Sequence, residues 1–481
     1  MAQIGERVRA VITSRSMDDL EATDTRTPSA AMLDDARFIA QVLVTEGFEL
    51  LNFHPVAISF GGSSAAFERV FGLRLLSRTF AGGRGRLVAG FDVESEDAHR
   101  LSNLPAVFQG RAGKMAIARP PRLIDDAGAP VRDVADAGLA VWSLPDELAI
   151  SIWAGSGERP AATGYGVVAA QIGTGHYRHR FFSDRGYRVL PTLLGPGQQY
   201  PQRDDHGHGT GEAACLFGAA PDLRLRPIKG LLDPVGDLLM TVDSAPTPNL
   251  IINSWGYDVD QGGWDDLEQT DHNLFHYLKI LEAALAFATA RGIVVCASAP
   301  RTWKSFPACH PDVIAIAAAF RGRAAQQASR GVGASGLYPG RLVPDIWSDA
   351  AKSVRAGLDL IGCTHPAQPG SALAWPESQE DSADEGFAWC DIEQAAAPLA
   401  AGRLALLLEQ YPGLSPTVFR AMVTDTAEMP ASADLEPARQ NPEPIETSSC
   451  ANDPLPKLLD ERTAYVGRAD MGSLAGQSVS R

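Results

Sequence analysis

Apolar positions along this chain change their period several times, and each change predicts an element. Residues 7–12 read as a short strand, and Leu33, Phe38, Ile39, Val42 and Leu43 mark one face of an amphipathic helix over 31–46. Residues 50–60 are strand-like. Gly61-Gly62-Ser63-Ser64 then offers a turn and a helix cap before the helical run 65–71, and 86–93 suggests a further strand. That alternation predicts a small α+β unit over residues 1–120, with helices on one face of an antiparallel sheet. From about 160 onward strands alternate with helices. Residues 166–170, 250–256 and 292–296 are strand-like and 278–290 is helical, as expected of a parallel sheet covered on both faces. Residues 121–150, with Pro121, Gly128 and Pro130, read as a linker. The Pro- and Ser-rich stretch 431–481 reads as a poorly ordered tail beyond a large domain over 151–430.

Composition narrows the classes of partner. The 481 residues carry a net charge of −16, which argues against a phosphate-binding surface and hence against nucleic acid. No run approaches the roughly 18 apolar residues of a membrane span, and no basic-then-apolar leader opens the chain. The six cysteines contain no CxxC pair, so a zinc knuckle is not expected, and Val294-Val295-Cys296-Ala297 reads as a buried thiol acting as a small hydrophobe. A cytoplasmic protein with reduced thiols, without cofactor or metal, is the expectation, although an even cysteine count leaves disulfides open.

The run Asp204-Asp205-His206-Gly207-His208-Gly209-Thr210-Gly211, opening a helix of small residues, resembles the histidine motif of the subtilisin-like (S8) serine peptidases. Four further segments follow in the order of that family. Gly218–Lys229 resembles the strand after the histidine helix. Phe306–Ala317 resembles the family's "yPAxyPxVIaVgA", and Val343-Pro344-Asp345-Ile346 its "kPDi". Ala396–Pro412 looks like "AAPHVAGAAALLLxxxP". At the other end, Glu46-Gly47-Phe48, Phe60-Gly61-Gly62 and Ala66–Leu73 look like the activation propeptide of the sedolisin/kumamolisin peptidases. The resemblance implies an α/β fold: a subtilisin-like parallel sheet with helices on both faces, preceded by a small ferredoxin-like α+β propeptide-like domain.

Amide hydrolysis in that family needs a serine, a histidine, an orienting aspartate and an oxyanion-binding asparagine. His208 is the histidine. The aspartate position falls on Gly173, the asparagine position on Pro300 and the serine position on Gln394, and 391–398 contains no Ser, Thr or Cys. The resemblance therefore implies a pseudoprotease. Its propeptide would stay attached, and its partner would be a peptide or protein, such as an active enzyme that it regulates or presents substrate to. The family binds peptides as an added strand along a segment matched here by Ser254-Trp255-Gly256-Tyr257. The competing expectation is an active peptidase using His208 with a displaced nucleophile, Cys390 or Ser298. A metal cluster of Asp204, Asp205, His206 and His208 is the least favoured reading.

Overall fold

The computed structural model describes residues 7–15, 27–83, 86–124, 162–204, 206–259, 262–300, 303–319, 333–349, 361–363, 387–389 and 392–426. The tail 431–481, residues 125–150 of the linker, Asp205 and Cys390 lie outside them.

The N-terminal domain runs β1 (Val8–Ser14), α1 (Ala30–Thr45), β2 (Glu49–Phe53), β3 (Ala57–Gly62), α2 (Ser64–Phe71), β4 (Leu75–Gly83), β5 (Arg86–Val93) and β6 (Ala112–Ile117). An antiparallel sheet is ordered β2-β3-β1-β6, and β4 and β5 form a separate hairpin. Residues 50–60, expected as one strand, are two. His54-Pro55-Val56 turns the chain, with the His54 ring nitrogen Nδ1 accepting the Val56 amide at 3.1 Å. Ser29 and Ser63 cap α1 and α2 by accepting the Met32 and Ala66 amides.

The pleat of this sheet explains why its strands are apolar on both sides. Val8, Ala10, Ile12, Phe60 and Ile117 pack with Ile39, Leu43, Phe67 and Phe71 in the domain's own core. The alternate positions Val11, Ala57 and Ala116 belong to the core of the next domain instead. The sheet is therefore closed on its second face only by the rest of the chain.

The second domain runs β7 (Arg122–Leu123), β8 (Val168–Gly173), β9 (Arg188–Val189), β10 (Leu193–Leu194), α3 (His208–Ala219), β11 (Arg224–Lys229), α4 (Pro234–Val242), β12 (Leu250–Asn253), β13 (Trp255–Asp258), α5 (Trp264–Thr270), α6 (His272–Ala290), β14 (Val294–Ser298), β15 (Ser305–Phe306), β16 (Val313–Ala319), β17 (Ile346–Asp349), α7 (Ile392–Gln410) and α8 (Pro416–Thr426). Eight strands form a parallel sheet ordered β10-β11-β8-β12-β14-β16-β17, with β9 beside β11. Successive residues of β12 alternate between the two cores: Ile251 faces that of α4 and α6, Leu250 and Ile252 that of α3 and α7. From β8 the chain moves outward to β11 on one side, then returns to lay β12 on the other. The crevice beyond the carboxyl ends of β8 and β12 is thus a topological switch point, where open α/β sheets place their sites. Among the described residues no helix is long and apolar enough to cross a membrane.

The domains are joined by polar contacts as well as by shared core. The Asn273 side chain at the start of α6 accepts the Ile117 amide at 2.8 Å and donates to the Ile117 carbonyl at 3.1 Å, completing the edge of β6. Ser102 Oγ lies 3.0 Å from His276 Nε2.

Candidate functional site

His208 is the first residue of α3 and is buried. Gly207, at φ 84°, gives the chain the left-handed turn that starts the helix. Asp204 fixes that turn. Its Oδ1 accepts the Gly207 amide at 2.9 Å, and its Oδ2 accepts the Thr210 amide at 2.9 Å and the Thr210 hydroxyl at 2.7 Å. Asp204 is thereby spent on capping, which is a structural role rather than ligation. Gly209 lets α3 press against the turn after β8. Its amide donates to Thr174 Oγ1 at 2.9 Å, and a Cβ there would lie 2.3 Å from the Gly175 carbonyl oxygen.

That close approach brings β8 and α3 together at the position matched to the aspartate. A Cβ on Gly173 would meet one atom within 4 Å, Oε2 of Glu212, at 3.9 Å. The same oxygen stands 3.3 Å from His208 Nδ1 and accepts Gln171 Nε2 at 2.7 Å. Gln171 lies two residues before Gly173, on the same face of β8, and also donates to the Gly209 carbonyl at 3.0 Å. A carboxylate thus faces His208 from within α3, one turn after it, close to the position matched to the aspartate. Sequence reasoning missed Glu212. The signal was present: it is the one charged side chain in a helix of otherwise small or apolar residues, all buried, and a carboxylate is not left there without partners.

The register sets the rest of the site. Asn253 pairs with Ile172 on one side and Ala297 on the other, so Ser254, just after β12, lies level with Gly173 and Ser298 at the ends of β8 and β14. The Oγ atoms of Ser254 and Ser298 are buried without a hydrogen bond. Pro300 follows, also buried, and a proline has neither a side-chain donor nor an N–H to offer an oxyanion. Gln394 falls in the first turn of α7, which packs tightly on α3: a Cβ on Gly402 would lie 2.5 Å from that of Ala219. Among the described residues Cys215, Cys296 and Cys309 are buried and in no disulfide, and burial pushes the Cys309 thiol up to about 12. Burial, with Glu212 nearby, also raises Cys296, so neither thiol is a ready nucleophile. Burial pushes His176, beside the site, down to about 4 despite the Asp204 charge, leaving it neutral at pH 7.

The expected peptide-binding edge has a different character from its sequence. Trp255 and Tyr257 are buried, with Trp255 Nε1 donating to the Ile172 carbonyl and the Tyr257 hydroxyl to the Arg119 carbonyl. They are core aromatics, and what the edge presents is backbone. That backbone is taken up by the chain itself. Leu123 pairs with Trp255 and Arg122 with Gly256 in antiparallel register, and the Ile124 amide donates to the Ser254 carbonyl at 3.0 Å. Segment 122–124, expected within the linker, therefore lies along the cleft.

The subtilase (S8 peptidase) family model matches residues 176–449, more than half of the sequence, and the chain belongs to that family. No curated protein matches it in sequence. Among solved structures it is similar to fervidolysin from Fervidobacterium pennivorans, a keratinolytic enzyme related to subtilisin. Identity is 14%, with 89% of this chain and 59% of that one covered and a TM-score of 0.48. A protease of Pseudoalteromonas arctica is 16% identical, with coverage of 60% and 87% and a TM-score of 0.40. The MycP3 protease of the type VII (ESX-3) secretion system is 16% identical, with coverage of 60% and 84% and a TM-score of 0.39. The chain thus spans about three fifths of the length of fervidolysin.

The position of Glu212 has a testable consequence. The Nδ1 of His208, 3.3 Å from Glu212 Oε2, is expected to carry an N–H whose resonance depends on Glu212. Glu212→Ala should abolish that resonance, and Gly173→Asp in the same background should restore it, since both carboxylates reach one point. A resonance that survives Glu212→Ala would show that another group holds the ring.

Proposed function

We propose that the chain is a catalytically silent subtilase that keeps its N-terminal domain and serves as a peptide- or protein-binding module. The observation that supports this reading is the strand Arg122–Leu123 paired along Trp255–Gly256, an extended segment of the same chain on that edge. Main-chain pairing of this kind needs no catalytic group. The residues matched to nucleophile, orienting acid and oxyanion donor are Gln394, Gly173 and Pro300, and a glutamine amide forms no acyl intermediate. The partner would be an extended segment of another protein, such as an active peptidase or its substrate. A cytoplasmic location fits thiols that, among the described residues, are buried and in no disulfide.

One observation favours the alternative. His208 retains a carboxylate at 3.3 Å, and Ser298 keeps a buried hydroxyl without a hydrogen bond. Both are parts from which a displaced site using Ser298 could be built; the form of this reading that uses Cys390 falls outside the described residues. Intact mass of the purified full-length protein, with and without a fluorophosphonate or thiol-acylating probe, separates the two readings. The silent module is expected to stay uncut and to show no label that depends on His208. A cut between 120 and 150, or a label lost in His208→Ala, would establish the active reading.

A further inference from the structure

The ferredoxin-like pattern is β-α-β-β-α-β, and β1, α1, β2, β3, α2 and β6 complete it. The hairpin β4–β5, inserted between α2 and β6, is outside that pattern and outside its sheet. It lies instead along the exit of the domain, where β4 runs beside β7. We propose that this hairpin is a clasp that keeps segment 122–124 seated in the cleft and so sets how readily the edge opens to another extended peptide. The inference rests on the reading of that edge as a peptide-binding strand.

Three contacts make the clasp, all at residues just before β7. Arg119, 6% exposed, gives Nη2 to Asp92 Oδ1 of β5 at 2.5 Å, and Nη1 and Nη2 to the two oxygens of Asp271 at 2.5 and 2.8 Å. Asp271 in turn caps α6 by accepting the Leu274 amide at 3.0 Å. One guanidinium thus ties the hairpin to the second domain. The Phe80 ring of β4 lies under the same guanidinium, 5.4 Å from its centre. Pro120 sits against the bare Gly90, where a Cβ would be 3.2 Å from Pro120 Cδ and 2.9 Å from the Phe80 ring. The Arg119 carbonyl completes the arrangement by accepting the Tyr257 hydroxyl of the cleft strand at 2.8 Å. Arg119 is therefore fixed at once to hairpin, α6 and β13, three residues from the first hydrogen-bonded pair of β7. Two paired residues make a weak strand by themselves, and the clasp supplies the remaining hold.

Amide hydrogen exchange on the full-length protein tests this. In the wild type the Ile124 amide and those of 255–257 should be protected. Asp92→Asn removes the charge that holds Arg119 to the hairpin. It should speed exchange at 122–124 and 255–257 by roughly ten- to a hundredfold, with β1 and β3 unchanged. Phe80→Ala, which leaves the ion network whole, should act in the same direction and covers the case in which Asp92→Asn does not fold. Protection in the wild type that neither variant alters, or faster exchange spread over the whole β2-β3-β1-β6 sheet, would overturn the clasp. A wild type in which Ile124 exchanges freely would overturn the filled edge itself.

Discussion

Gly209→Ala is expected to destabilise the protein by about 3 kcal/mol net. Two effects oppose each other. Alanine is the better helix former by about 1 kcal/mol, and Gly209 is the second residue of α3. Against this, the new methyl would stand 2.3 Å from the Gly175 carbonyl oxygen and 3.3 Å from two further backbone atoms of Gly175. Backbone on both sides cannot rotate away, so either α3 or the 173–175 turn must move. Such movement breaks the bond from the Gly209 amide to Thr174 and separates Glu212 from Gln171. The clash outweighs the propensity. The midpoint of urea unfolding should fall clearly, whereas Gly413→Ala, where no atom lies within 4 Å of the new methyl, should stay within about 0.5 kcal/mol of wild type. Equal midpoints for the two variants would show that the start of α3 is not pinned to β8 as described.

Most of the architecture could be read in the sequence because it is written in local periods. The apolar runs of β12 and β14, and of β8 apart from Gln171, are what a strand covered on both faces requires, and the small residues of α3 and α7 are what two tightly packed helices require. Gly173, Pro300 and Gln394 are legible as single residues inside matched segments, and their assignment to catalytic positions belongs to the proposed function. What escaped was non-local. The hairpin β4–β5 is paired only with itself, so nothing in its composition says that it lies across residues 119–123. For Trp255 and Tyr257 core packing is the default reading of the sequence, and the approach of Ile172 and Arg119 shows how their polar tips are satisfied inside the core. Glu212 hid for a related reason: its partners Gln171 and Gly173 are on a strand about forty residues earlier, and they meet it only because Gly209 lets the backbones touch.

The two carboxyls at the seam between the domains make stability depend on pH. Asp233 and Asp237 are fully buried, and among the described residues neither has a Lys, Arg or His within ion-pair distance. Asp237 Oδ2 accepts the Leu231 amide at 2.7 Å, while its Oδ1 is without a hydrogen bond. Asp233 accepts the Tyr277 hydroxyl at 3.1 Å, with Ser59 and the distant charge of Arg9 facing it from the N-terminal domain and Tyr257 beside Tyr277. Burial raises both acids, and for Asp237 the neighbouring Asp233 raises it further, well above the usual carboxylate range. An acid raised in the folded state stabilises the fold below its unfolded value, near 3.9. That contribution is lost as pH rises toward the raised value, where the folded state must either hold a proton or hold a buried charge. Asp237→Asn keeps an acceptor for Leu231 and removes the charge. The variant should therefore match wild type near pH 4 and exceed it by about 3 kcal/mol at pH 8. Taking the difference between the two curves cancels the opposite slope of groups such as Asp97, held low by Arg74. Parallel curves across that range would mean that Asp237 ionises without cost. The seam would then be wet, and the buried acid pair would not tighten the N-terminal domain against the cleft at low pH.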